Sequence, residues 1–178
     1  HLTPDVLIDS SMPDYIGRYE VQKLLGKGAT GAVYLALDPF NDQRKVAIKV
    51  AFPEALKNPE DGSFYKSMFL NEAALAGKVI HPHIVTIYDA VVEDRSTYIV
   101  MEYVDGTTLE PYCRPDNLLP IMTAAEMVFK CVRALAFAHA EGLIHRDIKP
   151  ANILYTGETN IKIVDFGAAI NKVSDRTM

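Results

Sequence analysis

The sequence predicts an α+β chain of two unequal lobes, and three observations predict it. Through about residue 103, short runs rich in β-branched and aromatic residues alternate with turn formers. From Thr123 to Glu141 apolar residues recur at helical spacing. The chain then returns to two strand-like runs around the turn "TGETN".

The elements follow in order. "HLTPDVLIDSSMPDYIG" mixes turn formers with isolated apolar residues and reads as an extension over residues 1–17. "YEVQKLLGKG" and "GAVYLALD" read as strands joined by a glycine-rich turn, and "KVAIKVAF" as a third strand. "PEALKNPEDGS" reads as a loop. A helix is expected over "FYKSMFLNEAALAGKV", with Phe64, Met68, Leu75 and Val79 inward. "IVTIYDAVVED" and "STYIVMEYV" complete five strands, with a turn at "EDRS". The second helix is expected to start at an N-cap Thr123, with Glu126 closing a capping box and Gly142 as left-handed C-cap. Its inward face is expected to carry Val128, Cys131, Val132, Leu135 and Ala138. "NILY" and "IKIVDFG" read as the closing strands.

With 49% hydrophobic and 23% charged residues, the 178-residue chain reads as ordinary soluble globular protein. A net charge of −5 without a basic cluster excludes a nucleic-acid footprint. No apolar run reaches the roughly eighteen residues of a membrane span, and no signal peptide is visible. His1, without a Met before it, implies that the natural beginning lies elsewhere. Cys113 and Cys131 form neither a disulfide framework nor a zinc pattern and read as plain thiols. A reducing, cytoplasmic setting is expected. "HPH" at 81–83 reads as a turn before a strand, since no carboxylate or Cys cluster supports a metal there.

Chemistry concentrates in a few short runs. "GKGATGAV" places Gly26, Gly28 and Gly31 between two strands, where backbone can approach phosphate oxygens without Cβ collisions. Alone such a run is weak evidence and is more often a flexible hairpin. A strand follows it where a dinucleotide-binding fingerprint needs a helix, and it lacks the P-loop Gly-Lys-Ser/Thr. Lys49 in "VAIK" sits in an apolar strand and needs a partner, for which Glu72 on the next helix is available. Alone the pair is a plain salt bridge. In "IHRDIKPAN", Asp147 can accept a proton from an attacking hydroxyl and Lys149 can neutralise a phosphoryl group. Asn152 and Asp165 supply oxygens of the kind hard Mg²⁺ prefers. Each of these taken singly is also an ordinary surface-loop residue.

Together, and in this order, the runs resemble the protein-kinase family from about Tyr19 to the end. The resemblance implies a bilobal fold: a five-stranded antiparallel N-lobe with one helix over 18–103, then the first part of a mainly helical C-lobe over 104–178. It implies ATP with Mg²⁺, or Mn²⁺ as a substitute. Gly26, Lys27 and the amides around Gly28 to Gly31 would cover the phosphates, and Lys49, held by Glu72, would bind the α- and β-phosphates. Asn152 and Asp165 would hold metal, with Asp147 as base and Lys149 beside it. Met101 would gate the back of the adenine cleft. Glu102 C=O and Val104 N–H would bind the ring, sandwiched by Leu25, Val33, Ala47 and Leu154. Lys149 matches Ser/Thr kinases, and the style is that of bacterial eukaryotic-type enzymes. Arg146 would receive a phosphate from the activation segment, where Ser174 and Thr177 are candidate acceptors. Autophosphorylation or self-association would follow.

Thr30 at the tip of the glycine loop and Ala76 after Glu72 depart from the pattern. After "DFG" only "AAINKVSDRTM" follows, so the resemblance implies a catalytic domain cut within its activation segment, with its protein substrate unspecified. Three functions are weighed: a Ser/Thr protein kinase, a chain that binds Mg-ATP without transferring phosphate, and a small-molecule kinase of the aminoglycoside or choline type. The intact "HRD", "VAIK" and glycine loop favour the first over the third. With Lys49, Glu72, Asp147, Asn152 and Asp165 all present, a scaffold-only pseudokinase is disfavoured.

Overall fold

The computed structural model describes residues 12–75, 77–93, 96–165 and 170–171. Strands β1 (Tyr15–Ile16), β2 (Tyr19–Lys27), β3 (Gly31–Asp38) and β4 (Arg44–Ala51) are followed by α1 (Pro53–Leu56) and α2 (Gly62–Ala73). Strands β5 (Ile87–Val92) and β6 (Thr97–Glu102) complete a six-stranded antiparallel sheet in the order β1-β2-β3-β4-β6-β5. The five expected strands are present. The sixth is a two-residue pairing of Tyr15–Ile16 with Tyr19–Glu20, formed by the end of the expected extension.

Register gives the sheet two distinct faces, because residues directly opposite in an antiparallel pair point the same way. Tyr34, Ile48 and Val100 are mutual neighbours on one face, joined by Ala36, Val46 and Tyr98 in a buried core. Val33 lies opposite Lys49, Ala47 opposite both Leu35 and Met101, and Lys49 opposite Ile99 on the other. Phe69 of α2 packs with Ile99 and Ile87 there. Each fully buried Ile, such as Ile48 or Ile99, contributes about 1.5–3 kcal/mol.

Two expectations for this half are corrected. Pro53 starts a short helix inside the expected loop, with Phe52 as its N-cap. In α2 the inward residues are Phe69 and Glu72, while Phe64 is 62% exposed. Leu75 and Val79 lie beyond the helix end and pack from the following turn. The apolar periodicity misleads because the inner face of α2 carries a carboxylate.

Asp38 organises the β3–β4 hairpin. Its carboxylate accepts bonds from Asn41 Nδ2 (2.7 Å) and Phe40 N (3.0 Å) and faces Arg18 and Arg44. Burial pushes the carboxyl up, yet the Asn41 amide, the Phe40 N–H and Arg18 outweigh it and hold the pKa below the usual carboxylate range. A depressed folded-state pKa adds stability that is present above the unfolded value of about 3.9 and is lost as pH falls through the folded one. Asp38→Asn is therefore expected to cost about 1–3 kcal/mol near neutrality, with the gap to wild type closing in acid. Thermal melts across pH check it.

The second half holds β7 (Thr107–Thr108), a 3₁₀ turn at Glu110–Cys113, α3 (Ile121–Ala140), β8 (Leu143–Ile144) and a 3₁₀ turn at Pro150–Asn152. Strands β9 (Ile153–Gly157) and β10 (Asn160–Ile163) join β7 in a three-stranded sheet, and β11 (Ile170–Asn171) pairs with β8. Helix α3 starts two residues before Thr123, after Pro120, with no side-chain cap, so the capping box does not form. Gly142 does take the left-handed conformation after the helix (φ 87°), as expected. The buried stripe is Met127, Cys131, Ala134 and Ala138; Val128 and Val132 are exposed, and Leu135 is partly buried. The alanines let α3 approach Ile161 and Ile163 closely, and so small a side chain carries little weight in an apolar pattern. Ile121, Met122, Val128, Phe129 and Val132 leave a second apolar stripe exposed among the described residues.

Segment 81–86 fastens the halves together. It is the expected turn, with Ile84 N donating to His81 O and His83 N to His81 Nδ1. Ile163 N then donates to His83 O (2.8 Å) and Val85 N to Ile163 O (3.0 Å).

Candidate active site

The glycine hairpin between β2 and β3 covers a pocket of about 270 Å³. Gly26, Lys27, Gly28, Gly31, Val33 and Lys49 line it, joined by Thr30, Ala32, Val50 and Phe69. Gly28 N donates to Gly31 O within the turn (2.9 Å), and Phe52 N donates to Thr30 O. The glycines are not equivalent. A Cβ on Gly31 would run into the Val50 carbonyl, whereas Gly26 and Gly28 face open space. Gly31→Ala must therefore shift backbone, and about 1–3 kcal/mol of stability should be lost. Gly28→Ala should leave the thermal midpoint in place, a contrast that unfolding curves read directly.

Register brings Lys49 to the same sheet face as α2. Its Nζ donates to Glu72 Oε1 at 2.7 Å and lies 3.7 Å from Asp165 Oδ1. Burial works against the ammonium, but Glu72 and Asp165 outweigh it, so Lys49 holds its proton above the ordinary lysine range. Burial pushes the Glu72 carboxyl up against the pull of Lys49. The lysine is thus a fixed cation at the pocket wall, with one carboxylate behind it and another in front.

Asp147 and Asn152 are assembled by the loop after β8. Asn152, itself buried, donates from Nδ2 to Asp147 O (2.9 Å) and Oδ2 (3.2 Å). Lys149 Nζ stands 3.7 Å from Asp147 Oδ2. His145, 1% exposed, is the support that the sequence reading did not single out. Its Nδ1 accepts Asp147 N (3.1 Å), which assigns the proton to Nε2, the donor to Val164 O (2.9 Å). Val164 N in turn donates to Asn152 O (2.9 Å), so the Asp147 loop and the residue before Asp165 are locked together. A histidine directly before Arg146–Asp147 was the available signal. Arg146 (φ 71°) and Asp165 (φ 61°) adopt left-handed backbone that is costly for non-glycine residues, and such strain clusters at functional sites.

At the expected adenine end, Ala47 and Met101 are cross-strand neighbours on the Lys49 face. Met101, Glu102, Val104 and Leu154 are half-buried and Leu25 is exposed; none of these, nor Ala47, lines the phosphate-end pocket. Ser174, Thr177 and Ala76 lie outside the described residues, as do Phe166 and Gly167 of "DFG".

Comparisons with known proteins point to one family. The model for the protein kinase domain matches residues 19–178. The chain is 40% identical over 169 residues to serine/threonine-protein kinase PknB of Mycobacterium leprae, covering 93% of this chain and 26% of that protein. It is 42% identical over 153 residues to serine/threonine-protein kinase PrkC of Bacillus subtilis, covering 86% and 23% respectively. The chain thus spans about a quarter of the length of these relatives. With the motifs in family order and the match running over nearly its whole length, the chain belongs to the protein kinase domain family.

Proposed function

We propose that this chain carries the nucleotide-binding and phosphoryl-transfer site of a Ser/Thr protein kinase, and that the division between its lobes falls near residues 103–104. The observation that carries the reading is the convergence of Lys49, paired with Glu72, on Asp165, beside the locked Asp147–Asn152 loop. Lys49 supplies fixed positive charge for the α- and β-phosphates of ATP. Asp147 orients a substrate hydroxyl and takes its proton as that oxygen bonds to the γ-phosphorus. The bond from γ-phosphorus to the bridging oxygen breaks, ADP leaves, and Lys149 stabilises the charge on the moving group.

The donor set fits Mg²⁺. Asp165 and the carbonyl oxygen of Asn152, whose amide nitrogen is committed to Asp147, are hard ligands, and so few protein oxygens suit an ion that keeps water and phosphate ligands. Mn²⁺ accepts the same set. Bound metal neutralises charge on the phosphate oxygens. Positioning then supplies most of the rate, because little covalent work falls to the protein.

The Ser/Thr class rests on Lys149 and on the names of the relatives. Phosphorylation of Ser174 or Thr177 by a second copy, read by Arg146, is the corresponding regulation. Among the described residues no helix is long and apolar enough to cross a membrane. We place the catalysis in the cytoplasm, where ATP and free thiols such as Cys113 and Cys131 coexist. The test is incubation of the full-length protein with γ-labelled Mg-ATP, a basic protein and a panel of small amino sugars and amino alcohols. Label on Ser or Thr of the protein is expected; label on the small acceptors alone would overturn the class.

A further inference from the structure

We propose that the Glu102–Lys162 ion pair is a positioning clamp that sets the spacing between Lys49 and Asp165, an inference that rests on the functional reading above. Lys162 Nζ lies 2.6 Å from Glu102 Oε1, and both side chains are only 24% exposed. Exposed pairs contribute little because water screens them and two long side chains must be held in place. This pair is largely withdrawn from water, and its geometry is that of a short charge-assisted bond.

Both partners are anchored. Glu102 Oε2 accepts Thr86 N (3.2 Å), while its own N–H donates to Thr86 O (2.8 Å), so neither its carboxylate nor its backbone is free to drift. Glu102 is the last residue of β6, where the chain leaves the six-stranded sheet. Lys162 lies within β10, between Ile161, whose carbonyl meets His83 Nδ1, and Ile163, bonded to His83 and Val85.

The pair closes a mechanical ring. From Lys49, strand β4 runs to Val46, which is the register partner of Glu102. From Glu102 the ion pair crosses to Lys162, and three residues along the chain from there is Asp165. Lys49 and Asp165 then face each other at 3.7 Å. Segment 81–86 already links β10 to β6 through the backbone, because Thr86 O accepts Glu102 N; the ion pair adds a direct side-chain link from Lys162 of β10 to the strand that is laddered to Lys49. Fixing two charged groups on either side of a phosphate chain is where small errors in position cost most, since displacements near 1 Å can cost about 100-fold in rate. The clamp thus acts through Lys49 and Asp165: its two paired side chains touch neither phosphate nor metal, and the Glu102 main-chain carbonyl is left to the adenine ring.

The test is a double-mutant cycle in the full-length protein: Lys162→Met, Glu102→Gln and both together, with Lys162→Arg as the conservative variant. Mg-ATP affinity and kcat are measured well below the thermal midpoint. Each single change is expected to lower kcat/KM for Mg-ATP about tenfold, the double no further than either single, and Lys162→Arg to stay near wild type. If Lys162→Met does not fold, Glu102→Gln against Lys162→Arg carries the comparison. Additive losses, or wild-type kinetics with only a lowered thermal midpoint, would overturn the clamp while leaving the kinase reading intact. A wild-type protein that binds no Mg-ATP would overturn the kinase reading and the clamp with it.

Discussion

Asp147→Asn is expected to lower the phosphoryl-transfer rate by about 10²–10⁴ while leaving Mg-ATP affinity nearly unchanged. Asn keeps the shape and the backbone of Asp147, and the backbone is what holds the loop. Asn152 Nδ2 still reaches the main-chain oxygen at 2.9 Å, and His145 still accepts the main-chain N–H at 3.1 Å. What is lost is a carboxylate that can take the hydroxyl proton, together with the negative partner of Lys149. The loss should appear in kcat, because nucleotide phosphates are held by other groups. Nucleotide titration beside single-turnover transfer separates the two. A large fall in nucleotide affinity would instead make Asp147 a binding residue.

Lys49→Met is expected to cost more than activity. Transfer should fall at least about 10²-fold, the scale for removing one preorganised charge at a phosphoryl site. The structural consequence concerns Glu72, which is 2% exposed and loses its counter-ion. A buried carboxylate left unpaired costs about 3–5 kcal/mol if it stays ionised. Glu72 already lies above the ordinary range through burial, so without Lys49 it takes up a proton instead. The folded variant binds one more proton than the unfolded chain between about pH 4.3 and the raised folded-state pKa. Stability of Lys49→Met therefore falls as pH rises through that window. Adding Glu72→Gln removes the slope. Denaturant midpoints for wild type and both variants from pH 5 to 8 measure this, and parallel pH profiles would contradict the pairing.

The sequence was most legible where chemistry restricts the residue type. Lys49, Glu72, Asp147, Asn152 and Asp165 were singled out by type and order, and the structure brings Lys49 to both carboxylates and Asn152 to Asp147. Strand existence was equally legible, because β-branched runs between turns have few other uses. Helix faces were not. In α2 the inward position goes to Glu72, which an apolar count scores as outward, and Phe64 is left in solvent. In α3 two alanines occupy the buried stripe while Val128 and Val132 lie outside, so the fuller apolar residues point the pattern the wrong way. His145 and Lys162 escaped notice for a different reason. Each acts through a partner distant in sequence, Val164 and Glu102; position before Arg146–Asp147 flags His145, but only tertiary pairing shows what either residue holds.

The most direct measurement of the central claim is single-turnover transfer from γ-labelled Mg-ATP by the full-length protein, beside Asp147→Asn at matched nucleotide occupancy. The account predicts label on Ser or Thr with wild type and its near-complete loss in the variant. Bound nucleotide with no transfer by wild type, or equal transfer by both proteins, would contradict it.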